Sequence, residues 1–177
     1  MMMNSASRPL LSRRSLLTFA VVLSFLFLSC KAGESAGNQN LIGSKPEFRL
    51  KTLDGRKLGP RDFPGQVVVI DFWATWCGPC HVQAQIIEPL YRDYQGKGVQ
   101  FLAANVGEDE ATVRSFTKKK PIPYPVLLDS DEAVAMNHAV YALPTLMVVD
   151  KKGKILHLKS GLTDGPTLRR ILKAAGV

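Results

Sequence analysis

Apolar and polar residues alternate with changing periods along the chain, and each change of period marks a predicted element. Residues 67–73 form an almost wholly apolar, β-branched run, which is typical of a strand buried on both faces. Residues 77–94 follow with apolar residues at helical spacing, and residues 99–106 form a second buried strand. This order of strand, helix and strand predicts an α/β fold class.

Shorter elements complete the pattern. Residues 48–58 read as a β-hairpin that turns at Asp54-Gly55. Further elements are predicted as a helix at 108–119, a strand at 126–128, a helix at 131–139, strands at 146–149 and 155–159, and a helix at 166–175. Strands alternating with helices predict an α/β sandwich, in which a mixed sheet is covered by helices on both faces.

The start of the chain differs in composition from the rest. Two arginines precede an apolar stretch at residues 16–28, which as a helix rises about 20 Å and is too short for a hydrocarbon core of roughly 30 Å. A stretch rich in Gly, Ser, Ala and Asn follows. We therefore predict an export signal at 1–29, a flexible tether at 30–45 and a folded domain at 46–177.

The net charge does not indicate a nucleic-acid partner. It is +8, and three arginines before Cys30 contribute to it. The only basic run of the remaining chain is Lys118-Lys119-Lys120, at the end of a predicted helix, where cations suit the helix dipole. We interpret this run as a solvated helix end, with docking to anionic lipid or a partner as the alternative.

Residues Phe27-Leu28-Ser29-Cys30 resemble the cleavage box of bacterial lipoproteins. This resemblance implies that Cys30 carries a lipid anchor and becomes the first residue of a mature protein held at a membrane of the cell envelope, in the periplasm. The alternative is an ordinary cleaved leader that ends near a cysteine.

Cys77 and Cys80 are then the cysteines left to the exported domain. Residues at i and i+3 of a first helical turn face the same side, so the two thiols can form a disulfide. Its loop is too small to add much stability, which favours a chemical role. Unpaired N–H groups and the helix dipole lower the pKa of the Cys77 thiol, so this pattern indicates thiol–disulfide exchange.

A family resemblance adds to this interpretation. Residues 71–80, Asp-Phe-Trp-Ala-Thr-Trp-Cys-Gly-Pro-Cys, closely resemble the active-site segment of the thioredoxin superfamily, and Leu143-Pro144-Thr145 resembles its cis-proline loop. The leading hairpin, the elements between Val106 and Pro144 and the export signal resemble the TlpA/ResA-like branch of membrane-tethered disulfide reductases. The resemblance implies a thioredoxin-like fold with an N-terminal hairpin and a central insertion.

The resemblance also implies roles for individual residues. Cys77 would be the exposed, attacking thiolate, and Cys80 the shielded thiol that resolves the mixed disulfide and closes the redox-active Cys77–Cys80 bond. Asp71 would be a buried carboxylate that exchanges a proton with Cys80. The alternatives left open are a structural disulfide and, for Asp71, a carboxylate bonded to backbone at a strand end.

Four further residues complete the predicted site. The Gly78-Pro79 spacer tunes the redox poise, and Pro144 forms a cis bond that packs against the dithiol and presents backbone to an extended substrate. Trp76 either covers the dithiol as an apolar docking surface or is a core aromatic. We expect no metal and no cofactor, since no second cysteine pair is present and His138 and His157 are expected to be solvated.

The expected function is therefore reduction of disulfides in proteins outside the cytoplasm. The resemblance implies apocytochrome c as a client and a membrane electron donor of the CcdA or DsbD type as a partner. Two alternatives remain open. Residues 77–81 match the C-x-x-C-H motif of c-type haem attachment, with Met136 or Met147 as an axial ligand of an electron carrier. The other is a binding or chaperone module with a vestigial dithiol.

Overall fold

The computed structural model describes residues 40–177. Its strands are β1 Leu50–Thr52, β2 Lys57–Leu58, β3 Val67–Trp73, β4 Val99–Val106, β5 Val126–Asp129, β6 Thr145–Val149 and β7 Ile155–Ser160. Its helices are a 3-10 turn at Pro60–Asp62 and α1 Gly78–Tyr94, α2 Glu110–Lys119, α3 Ala133–Asn137 and α4 Gly165–Ala174. The predicted export signal, Cys30 and most of the predicted tether lie outside the described residues.

The strands form one mixed sheet in the order β2-β1-β5-β4-β3-β6-β7. β3 and β4 are parallel neighbours, β4 and β5 likewise, while β6 pairs antiparallel with β3 and β7. The predicted hairpin is present as β1 and β2, and β1 joins the sheet through β5. The mixed α/β sheet predicted from the hydrophobic pattern is thereby confirmed.

Alternation along β3 divides the core into two layers. Val67, Val69 and Trp73 join the layer that contains Cys77, Cys80 and the buried faces of α1, α2 and α4. Val68, Ile70 and Phe72 join the opposite layer, which α3 covers. Asp71 therefore lies by alternation on the same face of the sheet as Trp73, beneath α1.

Two predicted helices are shorter than expected. α2 begins at Glu110 rather than at residue 108, because Asp109 is its N-cap and accepts the Thr112 N–H at 2.8 Å. α3 begins only at Ala133, because Glu132 has a φ of 60° and cannot belong to a right-handed helix. Both errors arise at acidic residues that were assigned to a first helical turn.

Two residues near the end of the predicted tether, Gly43 and Ser44, form backbone hydrogen bonds with β7. The Gly43 N–H donates to Ile155 O at 2.8 Å, and the Ile155 N–H donates to Ser44 O at 2.8 Å. The last residues of the predicted tether are thus bonded to the start of β7. Composition missed this contact because backbone groups, which every residue carries, make it. No helix among residues 40–177 has the length and apolar character needed to cross a membrane.

The expectation of solvated histidines is wrong. His138 is buried, donates from Nδ1 to Val134 O at 2.8 Å and packs edge-on against Phe48. His157 is half-buried on β7, and this burial lowers its pKa. The His138 imidazole is thus held inside by one backbone hydrogen bond and by its contact with Phe48.

Candidate active site

The two cysteines form a disulfide at the beginning of α1, with their Cα atoms 5.3 Å apart. Cys77 is the N-cap residue of α1, and its Sγ accepts the backbone N–H of Cys80 at 3.2 Å. Gly78 and Pro79 form the exposed first turn between them. The same N–H group, together with the positive end of the helix dipole, stabilises a Cys77 thiolate once the bond is reduced.

The expected contrast in exposure between the two cysteines is absent in this disulfide form. Cys77 is 4% exposed and Cys80 is 2% exposed. The bond and the Cys80 N–H draw the Cys77 sulfur against the helix end, and Leu143 packs against the core layer that holds both cysteines. The protruding side chain is Trp76, which is 73% exposed and is therefore not a core aromatic.

Asp71 lies on β3 between Leu146 and Ala103 of the neighbouring strands and is almost completely buried. Burial without a cationic partner raises its pKa well above the ordinary value of an aspartate. Among residues 40–177 its Oδ1 atom has no hydrogen-bond partner. The carboxyl group is therefore protonated over a wider pH range than a solvated one.

A cavity of about 220 Å³ connects Asp71 with Cys80. Apolar side chains of Phe116, Ile122 and Tyr124 form part of its wall. Trp73, whose buried indole Nε1 has no hydrogen-bond partner among the described residues, lines the same space. Asp71 and Cys80 thus line one cavity, which is where a proton acceptor for Cys80 would need to lie.

The Leu143–Pro144 peptide bond is cis, as the resemblance implied. Pro144 O accepts the N–H of Gly161 at 2.8 Å, and Thr145 Oγ1 donates to Ala142 O at 2.6 Å. These bonds fix the loop on both sides of the proline. Tyr141 before this loop and Leu162 after Gly161 are exposed apolar side chains. Trp76, next to Cys77 in sequence, is a third exposed apolar side chain beside the predicted site segments.

His81 makes two protein contacts beside the cavity that it lines together with Asp71 and Cys80. Its Nε2 atom lies 3.0 Å from Thr75 O, and its ring stacks on Phe116 with centroids 5.3 Å apart. Of the suggested axial ligands, Met147 is completely buried in the opposite core layer and Met136 is exposed on α3. Neither methionine lies on the face of the sheet that holds the cysteines, so the C-x-x-C-H match does not have the geometry of a haem site.

Two polar contacts of the site were missed in the sequence. Glu108, expected to start α2, bonds instead to Thr75 and Asn105. Gln83 on α1 bonds to Thr163. A signal for Glu108 existed: β3 and β4 were both predicted, and polar residues that follow neighbouring parallel strands meet at one sheet edge. Nothing in the sequence pairs Gln83 with Thr163.

Comparisons with known proteins agree with this geometry. The family model described as Redoxin matches residues 42–172. The thiol-disulfide oxidoreductase ResA of Geobacillus thermodenitrificans is 34% identical over 134 residues, which cover 75% of this chain and 77% of the relative. The ResA protein of Bacillus subtilis is 31% identical over 144 residues, which cover 77% and 80% of the two chains.

Solved structures show the same fold. MTB dsbF, in mixed oxidized and reduced forms, superposes with a TM-score of 0.67 at 25% identity over 76% of this chain and 98% of that one. A thiol:disulfide interchange protein of the thioredoxin family from Chlorobium tepidum gives a TM-score of 0.66 at 24% identity over 76% and 96% of the chains. The expected thioredoxin-like fold is confirmed.

Proposed function

Because the chain belongs to the Redoxin family and is a thiol–disulfide oxidoreductase of the ResA type, we propose that it reduces disulfide bonds in proteins outside the cytoplasm. The observation that carries this proposal is the Cys77–Cys80 disulfide at the N-terminus of α1. A sulfur at that position is stabilised as a thiolate, which is the reactive form of cysteine.

The first step begins from the reduced dithiol. The Cys77 thiolate attacks one sulfur of the substrate disulfide, a bond forms between Cys77 and that sulfur, and the other substrate sulfur leaves as a thiolate that takes up a proton. The Cys80 N–H, 3.2 Å from Cys77 Sγ, supports the role of Cys77 as the attacking group. Cys80 lies inside α1, three residues after the N-cap position that Cys77 occupies.

In the second step Cys80 gives its proton to Asp71 and attacks Cys77. The mixed disulfide breaks, the substrate leaves with both sulfurs reduced, and the Cys77–Cys80 bond forms, so that two electrons pass to the substrate. The burial of Asp71, its raised pKa and the cavity that it shares with Cys80 support this role. A group with a raised pKa accepts a proton from a thiol more readily than an ordinary carboxylate does.

Trp76 and the Pro144 loop form the proposed docking surface. Trp76, Tyr141 and Leu162 are exposed apolar side chains close in sequence to Cys77, Pro144 and Gly161. An extended substrate segment would pair with the backbone before Pro144 and bury these side chains. The Gly78-Pro79 spacer would set the redox poise by fixing the first turn of α1.

The proposed setting follows from the first 45 residues. An export signal and a lipid on Cys30 would hold the domain at a membrane of the cell envelope. Outside the cytoplasm the dithiol would be oxidised after each turnover, so a membrane electron donor of the CcdA or DsbD type would have to reduce it. Apocytochrome c, whose haem-attachment cysteines must be reduced, is the proposed client.

Reduction of insulin driven by dithiothreitol tests the activity. The wild-type protein should accelerate it, and Cys77→Ser should be inactive; equal rates for the two would contradict the proposal. The direction of electron flow is tested by equilibrium with glutathione. A potential well below that of the glutathione pool is expected, and a potential near that of a strong disulfide oxidant would contradict a reductive role.

A further inference from the structure

The carboxylate of Glu108 is hydrogen-bonded to Thr75, which lies two positions before Cys77. Its Oε2 atom accepts the backbone N–H of Thr75 at 2.7 Å and the Nδ2–H of Asn105 at 2.7 Å. Its Oε1 atom accepts the Thr75 hydroxyl. We propose that Glu108 is a positioning residue for thiol–disulfide exchange, a role that rests on the proposed function and acts through Thr75 on Trp76 and Cys77.

The sheet brings this carboxylate to the dithiol loop. Trp73 at the end of β3 is in register with Asn105 on β4, and both strands point to the same edge. Thr75 and Glu108 follow these two strand ends, so one side chain can bridge them. Asn105 is completely buried, and the backbone of Glu108 is held by Ser130, whose Oγ donates to Glu108 O at 2.7 Å.

The turn between Asn105 and Glu108 requires glycine. Gly107 has a φ of 75°, and a Cβ atom built there would lie 2.6 Å from the Glu132 carboxylate. Its N–H also donates to Asp129 O at 3.0 Å. The backbone around Glu108 is therefore fixed by contacts that do not involve Thr75. Glu108 can for this reason support the loop that contains Thr75.

Thr75 is held from its other side by His81, the residue that follows Cys80. The His81 Nε2–H donates to Thr75 O at 3.0 Å, and Phe116 packs on the imidazole ring. The N–H, hydroxyl and carbonyl groups of Thr75 are thus all bonded. Trp76 is 73% exposed and has little packing of its own, so the loop depends on Thr75 for its position.

Two substitutions separate the geometry of Glu108 from its charge. In Glu108→Gln the amide oxygen can accept the two N–H groups, and the amide N–H can donate to the Thr75 hydroxyl oxygen, so all three contacts persist. Glu108→Ala removes all three. A role in positioning therefore requires that glutamine keeps the activity and alanine loses it.

The experiment measures insulin reduction and the pH profile of Cys77 alkylation in the full chain. Glu108→Ala should lower kcat/KM by about tenfold or more and shift the alkylation profile to higher pH, because Cys77 loses its alignment with the Cys80 N–H. Glu108→Gln should stay within about threefold of wild type. Thr75→Val, which keeps the backbone bond to Glu108 and loses only the hydroxyl contact, should be intermediate and guards against a Glu108→Ala protein that does not fold.

Asp129→Asn is the matched control, since Asp129 is another buried carboxylate that accepts two backbone N–H groups, those of Val134 and Ala135, away from the dithiol. The Asp129→Asn protein should have a lower free energy of unfolding but the wild-type pH profile of Cys77 alkylation. The inference is overturned if Glu108→Ala or Thr75→Val keeps the wild-type pH profile of Cys77 alkylation. It is also overturned if Glu108→Gln lowers kcat/KM as much as Glu108→Ala does. An inactive wild-type protein would instead contradict the proposed function.

Discussion

Gln83 and Thr163 exchange two hydrogen bonds across the interior. The Thr163 N–H donates to Gln83 Oε1 at 2.8 Å, and Gln83 Nε2 donates to Thr163 O at 3.1 Å. Gln83 is three residues beyond Cys80 on α1, and Thr163 is two residues beyond Gly161, which bonds to Pro144. The amide therefore ties the dithiol helix to the segment that supports the cis-proline loop.

Loss of this tie should destabilise the protein. In Gln83→Leu both backbone groups of Thr163 are left buried and unpaired, and each costs about 1–3 kcal/mol, so we expect a loss of about 2–6 kcal/mol in the free energy of unfolding. Gln83→Glu should also be destabilised, because a carboxylate cannot donate to Thr163 O. Urea denaturation of the oxidised protein measures both. Gln85→Glu, at an exposed site on the same helix, is the control and should change stability by less than about 0.5 kcal/mol.

Asp71 should make stability depend on pH. Because its folded pKa is raised, the folded state binds this proton more tightly than the unfolded state does. The resulting stability is fully present below the unfolded pKa of about 4 and is lost as the pH rises through the raised folded value. Asp71→Asn, neutral throughout, should match wild type near pH 4 and be more stable at pH 8. Urea unfolding across this range would contradict the assignment if the two curves stayed parallel.

The same variant should slow the second chemical step. Without a proton acceptor behind Cys80, the mixed disulfide of Asp71→Asn should persist, with resolution slower by at least about tenfold at neutral pH. Rapid quenching with acid followed by mass spectrometry measures this intermediate. Asp131→Asn, at an exposed carboxylate, should resolve at the wild-type rate. Equal rates for Asp71→Asn and wild type would remove Asp71 from the mechanism.

Trp76 should matter for protein substrates and not for stability. Trp76→Ala removes an exposed indole, so its unfolding curve should be unchanged, while the KM for insulin should rise about tenfold through lost apolar contact. The rate with a small disulfide such as oxidised glutathione should change little. Met136→Ala, at an exposed residue on α3, is the control for a nonspecific apolar effect. An equal loss on both substrates would point to the chemistry instead of docking.

The strands of the sheet and the reactive cysteines were predicted from the sequence, but the polar contacts that Glu108 and Gln83 make around the site were not. The predicted bounds of the central strands were accurate because an apolar, β-branched run such as 67–73 is typical of a strand in a sheet covered on both faces. Cys77 was placed at a helix start by its spacing from Cys80. Glu108 was misassigned because an acid before a helix looks like a first-turn residue, and its contact with Thr75 depends on the register of β3 and β4.

The most direct measurement is the trapping of a mixed disulfide with single-cysteine variants. Reduced Cys80→Ser and Cys77→Ser proteins are each mixed with an excess of a disulfide-containing peptide at pH 7, quenched and analysed by mass spectrometry. A thiolate at the N-cap of α1 predicts that Cys80→Ser accumulates a peptide adduct through Cys77, while Cys77→Ser forms it at least about tenfold more slowly. Adducts that form at equal rates, or faster through Cys80, would contradict the assignment of Cys77 as the attacking group.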